Sequence, residues 1–155
     1  MPFYSKIESM LWFSLLGLVG FMSQDYIGAG VQLFRFTSGK PEVLFVQNRE
    51  TKKWSFPKGH REPFDNSYYE TAIREVFEET GYRLTKDYEI CDNGWNVWGE
   101  RPYWTGIMLS NRTPTLLEAE HGAVTWFDLD KKTLGLSFIK DVKQWKKEGM
   151  PIICD

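Results

Sequence analysis

The chain has 155 residues, of which 42% are apolar, and this is typical of one compact domain with a hydrophobic core. Its formal net charge of −2 excludes a global electrostatic attraction to nucleic acid or to an anionic membrane. Any affinity for polyphosphate must therefore come from local lysines, arginines and bound metal ions.

The two cysteines, Cys91 and Cys154, lie at no spacing that is typical of a metal site. Disulfides are rare in reducing compartments, and two cysteines say little about the redox environment of the protein. A reducing, cytoplasmic location is therefore the simpler expectation.

The first feature along the chain is an apolar run at residues 10–22 (MLWFSLLGLVGFM). As a helix it would be roughly 20 Å long, shorter than the roughly 30 Å hydrocarbon core of a bilayer. We therefore expect no stable membrane span, while a packed element, weak membrane association and a targeting role stay open. We divide the chain into an apolar N-terminal extension at residues 1–24 and a domain at residues 25–155.

Beyond residue 25 the pattern alternates between predicted strands and helices. Gly28 and Gly30, in the first predicted strand, indicate a close approach of two backbones. The expected architecture is an α/β fold, a mixed sheet with helices on its faces. Strands are predicted at residues 26–36, 43–47, 54–56, 103–109 and 123–127, with one or two more in 83–98, and an amphipathic helix at 136–147.

A further helix is well marked in the middle of the chain. Ser67 and Glu70 form a capping box at its start, and Gly81 supplies its C-terminal stop. Its apolar face is predicted to consist of Ala72, Ile73, Val76 and Phe77.

Three glutamates of this helix, Glu75, Glu78 and Glu79, share one face because they are spaced i, i+3 and i+4. Like charges at this spacing repel each other by roughly a few tenths of a kcal/mol per pair. A solvated acidic face would explain the cluster, and so would a cation held among the carboxylates. A hard divalent ion, Mg²⁺ or Mn²⁺, prefers such oxygen ligands.

Together with the preceding loop, this helix resembles the signature of the Nudix hydrolase family. That signature is a Gly, five residues, a Glu, seven residues, and then Arg-Glu-aliphatic-x-Glu-Glu-x-Gly-aliphatic. Asp65 stands in the first Glu position, eight residues separate it from Arg74, and Tyr82 takes the last aliphatic position. We interpret the extra residue as an insertion in the loop before the helix. The matching positions are Gly59, Arg74, Glu75, Val76, Glu78, Glu79 and Gly81.

The resemblance implies an α/β/α sandwich with a mixed central sheet. It also implies metal-dependent hydrolysis of a nucleoside diphosphate linked to another group. Mg²⁺ or Mn²⁺ would be bound by Glu75, Glu78 and Glu79, helped by the backbone carbonyl of Lys58. Arg74 matches the residue that orients the neighbouring glutamate, although a plain helix ion pair explains it equally well.

The general base has two candidates. One is Glu75. The other is Glu120, because the acidic segment before the strand at 123–127 resembles a loop of dinucleoside-tetraphosphate hydrolases in which a glutamate helps to bind metal. An ordinary exposed loop acid stays open for Glu120, and His121 beside it is a weaker candidate for the site.

The segment at residues 54–60 (WSFPKGH) resembles that of dinucleoside-polyphosphate hydrolases and of mRNA-decapping relatives. Lys58 is predicted to bind a distal phosphate, with His60 and Arg61 as further donors. Trp95 and Trp104 are candidates for stacking a nucleobase, or they pack in the core. The predicted substrate is a dinucleoside polyphosphate or a related nucleotide, and the alternative is an mRNA cap.

A third alternative is a Nudix-like domain that has lost catalysis and acts as a nucleotide sensor or an interaction module. The intact Arg-Glu-x-x-Glu-Glu block argues against such a loss. An RNA-binding track has one candidate, the lysines at 140, 143, 146 and 147, which recur on one predicted helix face and are more often a solvated surface.

Overall fold

The computed structural model describes residues 25–117, 119–131 and 135–154. In chain order the described elements are strands β1 (Gly28–Thr37), β2 (Lys40–Asn48), β3 (Trp54–Ser55) and β4 (Lys58–His60), helix α1 (Tyr68–Thr80), strands β5 (Tyr88–Trp98), β6 (Arg101–Met108) and β7 (His121–Asp128), and helix α2 (Lys140–Lys147).

All of these strands belong to one mixed sheet. Its main order is β3-β2-β1-β6-β5, with β4 paired to β1 and β7 paired to β2. The β1–β6 pair is parallel, and the other pairs are antiparallel. The predicted mixed sheet is therefore confirmed.

Each face of the sheet carries one helix and its own apolar core. Helix α1 buries Ala72 and Val76 against the sheet, together with Val31, Leu33, Leu44 and Tyr88. Helix α2 buries Val142 and Trp145 on the opposite face, with Phe34, Phe45, Phe56 and Phe138. This layering is the α/β/α sandwich that the family resemblance implied.

On one edge, strand β1 pairs with two strands in turn: with β4, where Gly30 lies opposite Lys58, and with β2 at residues 34–37. On its other edge β1 pairs with β6, where Gly30 lies opposite Tyr103. A Cβ at Gly30 would overlap Pro57 and Tyr103, and one at Gly28 would overlap the Gly59 carbonyl. The predicted close backbone approach is confirmed, and it places β4 next to α1.

Two elements differ from the sequence prediction. Residues 58–60 form strand β4 rather than a loop. Helix α2 begins at Lys140 rather than Leu136, because the preceding backbone pairs with β3 instead. The Trp54 N–H donates to Ser137 O at 2.8 Å, and the Ile139 N–H donates to Trp54 O at 3.1 Å. The segment at 83–98 holds one long strand, whose pairing with β6 shifts register between Ile90 and Trp95.

The C-terminal segment is tied to the sheet by a disulfide. Cys91 of β5 is bonded to Cys154, with the two Cα atoms 5.4 Å apart. Disulfides persist in oxidising environments, so this bond does not support the expectation of a reducing compartment.

The apolar run at residues 10–22 and the whole predicted extension, residues 1–24, lie outside the described residues. Within the part that is described, neither helix combines the length and the apolarity needed to cross a bilayer.

Candidate functional site

Helix α1 has the predicted ends. The Ser67 Oγ accepts a hydrogen bond from the Glu70 N–H at 3.1 Å, and the Gly81 N–H donates to Phe77 O at 2.8 Å from a left-handed conformation with φ 76°. The Glu70 carboxylate accepts from the Asn66 N–H at 2.8 Å, one residue before the position that a capping box uses. These caps fix where the helix starts and so which side chains face β4.

Asp65 and Arg74 form the structural centre of the site. Arg74 donates to both carboxylate oxygens of Asp65, and the Glu62 N–H and the Thr71 hydroxyl donate to it at 2.9 Å each. Asp65 is buried, and its hydrogen bonds from Arg74 lower the pKa of its carboxyl to about 2. Asp65 is therefore an anion that fixes the guanidinium in place.

The same guanidinium reaches two of the α1 glutamates. Arg74 Nη1 donates to Glu75 at 2.9 Å and to Glu78 at 3.1 Å, and Nη2 donates to His60 O at 3.0 Å. The pKa of Arg74 is raised, chiefly by its hydrogen bond to Asp65, so it stays charged. Arg74 thus makes the helix ion pair and also holds the neighbouring glutamate, the two alternatives that the sequence left open.

The acidic face of α1 is not simply solvated. Glu75 and Glu79 are buried, with 7% and 1% of their surface exposed, whereas Glu78 faces solvent. Glu75 lies directly against the backbone of β4, and a Cβ added at Gly59 would overlap its carboxyl group. Buried carboxylates need compensating partners, and β4 together with Arg74 supplies them.

The outer edge of β4 faces the carboxylates. The Lys58 N–H donates to Glu79 Oε2 at 3.1 Å, and His60 O accepts from Arg74. The Val31 N–H donates to Pro57 O, and the Arg61 N–H donates to Ile27 O. Pro57 and Arg61 each lie two residues from Gly59, and backbone groups alternate in direction along a strand, so the N–H and C=O of Gly59 also point toward β1. The Lys58 carbonyl therefore lies on the outer edge, beside Glu79.

The loop before β7 is fastened to the C-terminal end of α1. The Thr115 N–H donates to Thr80 O at 2.8 Å, and the Leu117 N–H donates to Glu78 O at 3.1 Å. Farther along, Glu120 O accepts from the Arg49 N–H at 3.0 Å. His121 Nε2 lies 3.7 Å from Glu79 Oε1, and both side chains are buried. The loop thereby brings Glu120 and His121 to the helix glutamates.

These elements surround an open cleft of about 430 Å³, the carboxylate cleft. Most of the predicted site residues line it. Its lining consists of Asn48, Lys58, Gly59, His60, Glu62, Phe64, Arg74, Glu75, Glu78, Glu120 and His121. Glu79 borders it through its contacts with Lys58 and His121.

Three predicted substrate-binding residues lie elsewhere. Trp95 and Trp104 are in contact, with ring centroids 5.6 Å apart, and line a separate groove of about 270 Å³. The lining of this groove, which includes Tyr26, Tyr68 and Tyr69, shares no residue with the carboxylate cleft. Arg61 lies over the Tyr68 ring, 4.8 Å from its centroid. Nucleobase stacking by the two tryptophans stays a prediction.

Four residues of the site are not marked as such by the sequence pattern. Asp65 departs from the family signature in its side chain, and its position in the first acidic slot is the one signal that links it to Arg74. Asn48, Glu62 and Phe64 reach the cleft through the fold, and no motif marks them.

A family model described as the NUDIX domain matches residues 27–148. The chain belongs to the NUDIX family. It is 34% identical over 113 residues to "mRNA-decapping enzyme subunit 2" and to "m7GpppN-mRNA hydrolase" of two Saccharomyces cerevisiae strains. The match covers 68% of this chain and 11% of each relative, so the chain spans about a tenth of their length.

Solved structures agree with this membership. A Caenorhabditis elegans Ap4A hydrolase, solved as a binary complex, is 26% identical, with a TM-score of 0.56 over 66% of this chain and 79% of that chain. The NUDIX domain of Shewanella oneidensis NrtR, solved with ADP ribose, is 20% identical, with a TM-score of 0.58 over 88% of this chain and 95% of that chain, and shows the fold.

Hydrolases of the NUDIX family generally use divalent metals. The cleft fits such an ion chemically, because carboxylate oxygens and the Lys58 carbonyl are hard donors. Within residues 25–117, 119–131 and 135–154, no three acidic, histidine or cysteine side chains are already grouped as a metal site. The reason is visible in the contacts: Arg74 holds Glu75 and Glu78, and the Lys58 N–H holds Glu79. Binding an ion would exchange part of these hydrogen bonds for metal contacts.

Proposed function

We propose that this NUDIX chain hydrolyses a phosphoanhydride bond in a nucleoside diphosphate linked to another group, with a dinucleoside polyphosphate as the favoured substrate. The observation that carries the proposal is the carboxylate cleft, where the α1 glutamates meet the outer edge of β4. The similarity to the C. elegans Ap4A hydrolase supports the substrate class.

The residues that would hold Mg²⁺ or Mn²⁺ are Glu75, Glu78, Glu79, Glu120 and the carbonyl of Lys58. A bound divalent ion supplies charge neutralisation at phosphate oxygens and activation of water. Of these three α1 glutamates, Glu78 is the most accessible, with 38% of its side chain exposed.

The chain's own cations position the polyphosphate. Lys58 lines the cleft, and its ammonium would act as a point charge toward a distal phosphate. His60, two residues farther along β4, also lines the cleft and would add a donor. Arg74 is committed to Asp65 and the glutamates, so its role is to orient carboxylates rather than to bind substrate.

For the general base we favour Glu120 over Glu75. Glu75 is buried against Gly59, and its carboxylate is already engaged by Arg74. Glu120 is exposed at the cleft, and the Arg49 N–H fixes its backbone there. The Glu120→Gln variant should therefore lower kcat by roughly 100-fold or more. An unchanged kcat would assign the base elsewhere.

An mRNA cap is the second candidate, and the 34% identity to the yeast decapping proteins favours it. The predicted basic track is on α2, which packs on the sheet face opposite α1. Lys140 of that track is paired with Glu100 at 3.3 Å. This placement argues for a nucleotide substrate over a long RNA.

The test is a panel of dinucleoside polyphosphates, sugar nucleotides, capped RNA and diphosphoinositols, assayed with Mg²⁺ and with Mn²⁺ in ¹⁸O-labelled water. The position of the label in the products identifies the phosphorus that is attacked. Metal-dependent turnover of a dinucleoside polyphosphate supports the proposal. Turnover of capped RNA alone would favour the second candidate, and binding without any turnover would indicate a nucleotide sensor.

A further inference from the structure

Phe64 is the residue of the carboxylate cleft whose exposure is hardest to explain by folding. Its surface is 68% exposed, and it lies in the cleft lining. Among the described residues of that lining, it carries the only apolar side chain. A benzene ring supplies neither a metal ligand nor a charge that could bind phosphate.

The turn that carries Phe64 is held firmly. The Asp65 N–H donates to Glu62 O, and the Glu62 N–H donates back to the Asp65 carboxylate, both at 2.9 Å. The Arg61 guanidinium donates to Asp65 O at 3.3 and 3.4 Å. Because Asp65 is also bonded to Arg74, the turn is fixed to helix α1. The ring is therefore presented from a preorganised support.

The Phe64 ring contacts the side chain of Arg74. The Arg74 guanidinium carbon lies 5.3 Å from the Phe64 ring centroid, a cation–π contact. A contact of this kind covers only one face of the ring. With 68% of its surface exposed, Phe64 keeps a flat apolar area directed at solvent beside the cleft wall.

We propose that Phe64 stacks the nucleobase of the substrate and so selects for nucleotides over polyphosphates without a base. The inference rests on the proposed function, because it takes the carboxylate cleft as the phosphate site. A cleft of about 430 Å³ is in the range that holds a small ligand. Stacking on an aromatic ring tolerates any base, so this residue sets the ligand class rather than the identity of the base.

The test compares two ligands that lack a cleavable anhydride, α,β-methylene-ADP and methylenediphosphonate, by calorimetry on the full chain. The wild type should bind the base-containing ligand more tightly. Phe64→Ala should weaken the binding of α,β-methylene-ADP by about 10-fold or more and leave the binding of methylenediphosphonate little changed. Phe64→Trp should restore the preference for the base-containing ligand. Phe36→Ala is the matched control, since Phe36 is 55% exposed at the end of β1 outside the cleft.

Equal weakening of both ligands by Phe64→Ala would overturn the proposal in favour of shielding of Arg74. An unchanged ratio of affinities, or no binding of either ligand by the wild type, would overturn it as well. Hydrolysis assays on the same samples separate this failure from that of the proposed function. Turnover with an unchanged ratio rejects the role of Phe64 alone, whereas base-dependent binding without turnover rejects the enzyme and keeps the stacking role.

Discussion

Arg74 donates two hydrogen bonds to the carboxylate of Asp65, from Nε to Oδ1 at 3.0 Å and from Nη2 to Oδ2 at 2.8 Å. The pair joins the loop before α1 to the middle of the helix. Since the same guanidinium holds Glu75 and Glu78, the position of both glutamates depends on an aspartate outside the helix. Paired donors of this kind fix geometry as well as charge.

The Asp65→Asn variant should therefore lose both stability and activity. Removing the Asp65 charge takes from Arg74 the most buried of its three carboxylate partners, and we expect the free energy of unfolding to fall by about 2–4 kcal/mol. The kcat should fall because Glu75 and Glu78 lose their fixed partner. Urea unfolding and steady-state kinetics measure the two effects. Asp92→Asn, at an exposed position of β5, is the control, and equal behaviour of both variants would refute the role of Asp65.

The same ion pair predicts a dependence of stability on pH. The pKa of Asp65 is lowered from 3.8 to about 2 in the folded chain, so the folded state binds fewer protons than the unfolded state in this range. The contribution is present above about pH 4 and is lost as the pH falls toward 2. It amounts to roughly 2 kcal/mol. Between pH 5 and pH 2 the free energy of unfolding should fall more steeply for the wild type than for Asp65→Asn. Parallel curves would contradict the assignment.

Gly59→Ala tests the contact between β4 and α1. The added methyl group would overlap the Glu75 carboxyl group, which is buried and has little room to move. We expect kcat to drop by at least about tenfold, in line with the sensitivity of catalysis to small displacements. Gly122→Ala is the control, because its nearest neighbour would lie 3.7 Å from the added Cβ. Full activity of Gly59→Ala would show that the position of Glu75 does not matter.

The local sequence predicted much of this site because the chemistry is concentrated in one helix. The caps of α1, the spacing of its three glutamates and the pairing of Arg74 with Glu78 all depend on residues within a few positions of each other. Local patterns of this kind are visible in a single sequence.

The remaining features depend on contacts between distant segments. The start of α2 at Lys140 is decided by pairing of residues 137–139 with Trp54, more than eighty positions earlier. The burial of Glu79 is decided by β4 and by His121. The separation of Trp95 and Trp104 from the carboxylate cleft follows from the position of β5 and β6 in the sheet, which no local pattern encodes.

The disulfide between Cys91 and Cys154 gives a prediction about stability. It closes a loop over a sequence separation of 63 and should stabilise the fold by about 2–4 kcal/mol. A reductant should therefore lower the melting temperature of the wild type and leave that of the Cys91→Ser/Cys154→Ser double variant unchanged. Thiol titration of the oxidised native protein should find no free thiol. Two reactive thiols under those conditions would rule the bond out.

The most direct test of the whole account is the turnover of a dinucleoside tetraphosphate by the wild type and by Glu79→Gln, each with and without Mg²⁺. Glu79 is the buried carboxylate that accepts from the Lys58 N–H, and the amide keeps its size while removing its charge. We predict Mg²⁺-dependent hydrolysis by the wild type, a loss of at least about 100-fold in Glu79→Gln with an unchanged melting temperature, and full activity of the exposed control Glu89→Gln. Near-normal turnover by Glu79→Gln would contradict the account.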